Sequence, residues 1–207
     1  MPRPRFAKLS TEKQAAILAS AAREFAAHGF DGASLNRILE QAQLSKGAAY
    51  YYFDDKADLF ATTVLHYAGD LIDSLPDLAA GLTAETFWPT FADQYVAQFE
   101  YFADKPWAFG AIKAAGRLSQ RELAENPVLM ASLGEVQQGV STLLRRGQEL
   151  GVVRTDLPLE LLVALFIAVD DANDRWALAQ WETLDTAEMK QVVCRVMQGL
   201  SRMLGGE

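Results

Sequence analysis

The stretch "LSKGAAYYYFDDK", Leu44 to Lys56, decides how this chain is read. Three consecutive tyrosines suit a core poorly, because each hydroxyl left unpaired in the interior costs about 1–3 kcal/mol and phenylalanine would serve better. Something polar should lie outside them. If Ala49 and Phe53, four residues apart, point inward with Leu44 beside them, then Lys46, Gly47 and Tyr50 fall on the opposite side of one short helix, with Tyr51 on its flank. Gly47 and Ala48 lack bulk, so the helix can sink into a major groove, where the Ala48 methyl can meet a thymine methyl. Tyr50 and Tyr51 can give hydroxyls to phosphates, contacts that fix register more than they read sequence. Tyr52 is expected to pack half-buried with a wet tip. Lys56 adds charge beside a helix N-terminus that already favours an anion.

Upstream, the chain supplies a frame for this helix. Ser10 or Thr11 can cap a first helix, Gln14 completing a capping box with Thr11, and Ile17, Leu18, Ala21 and Phe25 line one face. Gly29 should end it as the left-handed residue beyond the last turn, with Phe30 folding back. Ser34 caps a second, short helix in which Leu35, Ile38, Leu39 and Ala42 fall at i, i+3, i+4 and i+7. Ser45 can cap the third, and Asp54 or Asp55 a fourth that starts at Lys56. Two short helices joined by about four residues and braced by a longer one form a helix-turn-helix.

At these residues the chain resembles the TetR family of transcriptional regulators. The resemblance runs from Ser10 to about Val64 and rests on the ordered set Phe25, Gly29, Ser34, Ile38, Leu44, Ser45, Gly47, Tyr50, Phe53, Lys56, Leu59 and Phe60. It implies that Ser34, Arg37, Ser45, Lys46, Tyr50, Tyr51 and Lys56 stand where double-stranded operator DNA is contacted. It also implies an all-helical C-terminal domain that binds a small effector and pairs two subunits. One departure is Gln43, where the family usually has glycine; if this turn residue takes a positive φ, glutamine costs roughly 1 kcal/mol.

Nearly every other segment also has a period near 3.6, so the expected fold is all-α, with about nine helices. The expected domains are 1–55, a helix-turn-helix with a basic arm, and 56–207, an effector-binding and dimerisation domain. The arm, Arg3, Arg5 and Lys8, either reaches DNA or is a solvated terminus. Between Phe87 and Phe109 aromatics crowd the chain: Phe91, Tyr95, Phe99 and Phe102 share a helical face, with Trp107 following. They either pack a core or line a ligand pocket, since ligand sites are mostly apolar with a few placed polar groups. Asn126 and Pro127 read as a helix start and Gly151 as its stop; Pro158 opens the apolar run that ends in Asp170, Asp171, Asp174, Arg175 and Trp176. The acidic residues either make local pairs with Arg175, or Asp170 or Asp174 enters the aromatic pocket, with Trp176 beside it, and selects an effector carrying a cation or a donor. The last helix starts at Asp185 with Glu188 in a capping box and carries Met189, Val192, Val193, Val196, Met197 and Leu200 on one broad stripe. Two such helices from each of two chains make a four-helix dimer interface.

Charge and composition bound the alternatives. The net charge is −8, but residues 1–60 hold eight Lys and Arg against seven Asp and Glu (+1), while 61–207 hold eleven against twenty (−9). The DNA-facing segment is thus electrostatically distinct. His28 and His66 show no metal-ligand spacing, the lone Cys194 excludes an internal disulfide, and no phosphate loop or nucleophile elbow occurs, so no catalytic residue, metal or cofactor is expected. No segment reaches the ~20 apolar residues of a membrane span; a reducing cytoplasm is the expected setting. An acidic helical module that binds a protein partner and no DNA is the alternative.

Overall fold

The computed structural model describes residues 2–206, without the side chains of Lys46, Ala48, Ala49 and residues 70–80. Among the described residues the chain is helical throughout: α1 (Thr11–Gly32), α2 (Leu35–Gln41), α3 (Lys46–Tyr52), α4 (Lys56–Ala80), α5 (Phe87–Tyr101), α6 (Pro106–Ala115), α7 (Gln120–Ala124), α8 (Pro127–Glu149), α9 (Leu159–Gln180) and α10 (Thr186–Leu204). That is ten α-helices where periodicity led to about nine. The five-residue α7 is too short to show a period; its capping box, Ser119 with Glu122, was the available signal.

The chain divides into two compact units, one of Met1–Asp70 with Lys105–Leu133, the other of Leu71–Asp104 with Gly134–Glu207. This division falls within α4, and Lys105–Leu133, far along the sequence, groups with the N-terminal helices. The reason is apolar: α6 packs on α1, and Ala111, Ala114 and Ala115 share a core with Ile17, Leu18, Phe25, Ile38, Phe53 and Phe60. Short side chains on α6 let two helix backbones approach closely.

Local signals in the N-terminal unit act as their chemistry requires. Ser10, of the two candidates, accepts from the Lys13 amide, and Ser34 accepts from the Arg37 amide. Gly29 breaks α1 at φ 65°, a conformation costly for any residue with a Cβ, and Phe30 then turns back to lie 6.5 Å from Phe25 and 5.2 Å from Phe60. Asp55, of its two candidates, accepts from the Asp58 amide at the start of α4. Asn126 accepts from the Leu129 amide at the start of α8, while its own amide donates to the Ala57 carbonyl.

In the C-terminal unit α10 packs on α5 and α9. Asp185 and Glu188 form the expected capping box. The close of α8 is tight: a Cβ on Gly147 would lie 2.3 Å from Val153 Cγ2 and 2.7 Å from Phe87 Cζ, so only glycine fits. The α10 stripe splits in two. Met189, Val193, Met197 and Leu200 are buried within their own chain, whereas Val192 and Val196 line an open concavity of about 540 Å³ with Leu165, Val169 and Trp176. Four of the six residues expected at a dimer interface are therefore core, because a stripe this broad exceeds what one partner surface can cover.

Candidate nucleic-acid interface and effector site

The helix-turn-helix is made by α2, α3 and the turn between them, in which Gln43 has φ 55°. The condition for a strained glutamine at this departure from the family pattern is thus met. The Leu44 amide donates to the Leu39 carbonyl at 2.8 Å, closing the turn. On α3, Tyr50 and Tyr51 are 58 % and 47 % exposed and a Cβ on Gly47 would meet open space, while Phe53, just past the helix, is buried. Ser34 and Ser45 stand at the starts of α2 and α3. The side chains of Lys46 and Ala48, expected on the DNA face, and of Ala49, expected inward, lie outside the described residues.

Two of the expected DNA-contacting cations are engaged inside the unit. Arg37 gives Nε and Nη2 to Glu24 Oε1 at 2.9 and 2.5 Å, and Nη2 also reaches the Gly32 carbonyl at 3.3 Å. The Ser34 amide donates to the same Glu24 oxygen at 2.7 Å. The Arg37 guanidinium holds the Glu24 carboxyl below its usual range, against the burial that pushes it up. Lys56 Nζ donates to the carbonyls of Phe30, Asp31 and Ala33 at 2.7, 3.2 and 3.3 Å, and lies 4.7 Å from the Phe30 ring. An ammonium has three protons, and the carbonyls at the broken end of α1 accept from it.

In the C-terminal unit, Tyr95 on α5 meets α9. Its hydroxyl lies 2.6 Å from Asp170 Oδ1 and 3.0 Å from Asp174 Oδ1, and accepts from Asn173 Nδ2 at 3.4 Å. Burial pushes the Tyr95 hydroxyl well above its usual ionisation range, and the two carboxylates push it further. Both acids sequence left as alternatives thus converge on one phenol; Asp171 instead pairs with Arg175 at 3.1 Å. Asn173 was missed, because an amide inside a charged run carries no periodic signal.

The aromatic set separates. Phe99 stacks on Trp181 at 5.8 Å and lies 5.8 Å from Tyr95; Phe102 is fully buried; Phe91 packs against Phe87 and Phe166. Trp107 belongs to the N-terminal unit, edge-on to Tyr67 with Arg23 4.5 Å over its ring. Trp176, expected in the pocket, is 37 % exposed on the open face with Val192 and Val196.

The α2–turn–α3 unit is thus a helix-turn-helix that turns Tyr50 and Tyr51 outward. Residues 17–63 match the model of bacterial regulatory proteins of the tetR family. It is similar to the HTH-type transcriptional repressor AcnR of Corynebacterium glutamicum, 26 % identical over 156 residues, covering 73 % of this chain and 74 % of that one. Its fold is shared with the transcriptional regulator FadR of Bacillus subtilis in complex with stearoyl-CoA (TM-score 0.68, 19 % identity, 87 % of this chain and 95 % of that one). It is also shared with a TetR family transcriptional regulator from Chloroflexus aurantiacus J-10-FL (TM-score 0.67, 20 % identity, 100 % of both chains). These relatives are transcriptional regulators, not enzymes. Among the described residues no helix is long and apolar enough to cross a membrane.

Proposed function

We propose that this regulator is a homodimeric repressor whose two α3 helices enter major grooves of one operator, and that a small, largely apolar or aromatic effector releases it. The observation that carries the reading is the exposure of Tyr50 and Tyr51 beside the open surface at Gly47, on a helix held by the core contacts of Phe53. Folding gains little from that face. Ser34, Ser45, Lys46, Gly47, Ala48, Tyr50 and Tyr51 form the DNA surface, with the half-exposed edge of Arg37. Lys56 supports it by holding the end of α1, so Lys56→Ala weakens binding to all sequences alike.

One head offers few contacts, so two must meet half-sites about 34–36 Å apart or a multiple of that. The face bearing Trp176, Val192 and Val196 is the surface through which a second copy supplies the other head. The effector enters beside Tyr95, among Phe91, Phe99 and Phe102, and presents a cation or donor to Asp170 and Asp174. Stearoyl-CoA, the ligand of the B. subtilis relative, is a poor match for this polarity, because its phosphates would meet carboxyl oxygens.

The test is a gel shift with a duplex selected by the wild-type protein from a random-sequence library. Affinity should fall steeply with salt, as counterion release requires; no shift at low salt would favour the acidic interaction module. Val196→Asp should yield monomers in sedimentation and lose the shift. A thermal-shift screen of cationic, phenolic and acyl compounds should favour the first two, and an equal response from the Asp170→Asn, Asp174→Asn double variant would overturn the carboxyl role.

A further inference from the structure

The N-terminal arm is neither a free terminus nor extended toward a partner: it is folded onto α3. Residues 6–8 form a 3-10 turn, and Phe6 is buried, 4.9 Å from Phe53 and 6.4 Å from Tyr52. The Arg3 amide donates to the Tyr52 carbonyl at 2.9 Å and Arg3 Nη1 to the Tyr50 carbonyl at 2.7 Å. Arg3 Nε and Nη2 lie 2.8 and 2.7 Å from Asp54 Oδ1, and the Arg5 guanidinium sits 4.4 Å over the Tyr51 ring. Each of the three tyrosines therefore has a partner in the arm.

The physical need is clear. A helix of seven residues is under two turns, too short to hold itself in water, and its last four carbonyls lack intrahelical partners. A cation at that end satisfies carbonyls and complements the helix dipole. Asp54 extends the tie to the next element, because its own amide donates to Asp58 Oδ2, in the first turn of α4, at 3.1 Å. The planar fork of Arg3 thus joins the end of α3 to the start of α4, with few protons left for a phosphate.

We propose that the arm is a clamp that sets the pose of α3, with Arg3 and Asp54 acting together as positioning residues for DNA reading. The inference rests on α3 being the reading helix. It carries a sign that simple electrostatics reverses: an aspartate near the DNA face should repel phosphates, so removing it should tighten binding, whereas the clamp requires that removing it weakens binding.

The test uses the full-length protein and a duplex selected by the wild type from a random-sequence library, titrated at several salt concentrations. Arg3→Ala and the isosteric Asp54→Asn should each weaken binding about tenfold, equivalent to about 1.4 kcal/mol. The double variant should be no worse than either single one, as expected for one shared interaction. The salt slope should stay at its wild-type value, and Arg3→Lys, which keeps the charge and loses the fork, should recover only part of the affinity. Melting temperatures should hardly move, since exposed ion pairs contribute little to global stability. Tighter or unchanged binding by Asp54→Asn, additive losses, or a slope reduced by about one in Arg3→Ala, the mark of a lost phosphate contact, would each overturn the clamp. A wild-type protein that selects no duplex would instead overturn the reading of α3, and the clamp with it.

Discussion

Glu24 in the N-terminal unit and Tyr95 in the C-terminal unit are both almost fully buried, yet their surroundings have opposite polarity. Glu24 is met by a guanidinium and a backbone amide, donors that stabilise its charge and tie α1 to the start of α2. Tyr95 is met by two carboxyl groups, and its single proton can serve one of them at a time. Asn173 adds a buried carbonyl oxygen with no hydrogen-bond partner among the described residues. The first arrangement is electrostatically closed, as a reading head that must hold one geometry requires. The second concentrates acceptor oxygens around one phenolic proton.

Breaking the closed centre should have the larger effect. Glu24→Ala leaves the Ser34 amide and Arg37 without their acceptor, and a charged hydrogen-bonding group lost from the interior costs about 3 kcal/mol. The pH dependence follows from the sign of the shift. The folded carboxyl lies below its unfolded value, so its contribution is complete above about pH 4.3 and is lost as pH falls through the folded value. Chemical denaturation should therefore show a wide gap between wild type and variant at neutral pH that closes in acid. A gap that is constant with pH would mean that the packing of Glu24 matters and its charge does not.

The open centre should respond less, and at the other end of the pH scale. Tyr95→Phe removes the donor between two carboxyl groups, a loss of about 1–2 kcal/mol at neutral pH. Because the folded phenol ionises above its unfolded value of about 10, the wild type keeps this contribution below that pH and loses it as pH rises further toward the folded value. The variant, having no hydroxyl, should lack this alkaline loss in thermal melts from pH 8 to 11. A variant more stable than wild type at pH 7 would show the hydroxyl to be a burden rather than the group that holds the acids together.

What sequence reveals of these two centres differs for the same physical reason. Local rules reached the caps at Ser10, Ser34, Asp55 and Asp185, the break at Gly29, the burial of Phe53 and the exposure of Tyr50, because each depends on neighbours within a few residues. Contacts between distant segments were not legible. Arg3 finds its acceptors about fifty residues away, Lys56 finds carbonyls more than twenty residues back, and Lys105–Leu133 joins the head through small residues on α6. The broad α10 stripe showed an apolar face but not which half covers its own core. Asp170 and Asp174 were recognisable as unusual, yet only the α5–α9 packing gives them a shared phenol.

The smallest expected effect lies in the turn of the reading head, where local sequence and adopted backbone disagree. Gln43 has φ 55°, and a residue with a Cβ in the left-handed region is disfavoured by about 1–2 kcal/mol. Gln43→Gly relieves that strain but gives the unfolded chain more freedom, which offsets about 0.4–1 kcal/mol. A net gain of roughly 0.5 kcal/mol should remain, visible as a small rise in the denaturation midpoint with an unchanged slope. Since the turn is closed by the Leu44 amide on the Leu39 carbonyl, which glycine leaves intact, DNA affinity should not change. A loss of affinity at higher stability would show that the strained glutamine helps to hold α3 in its reading pose.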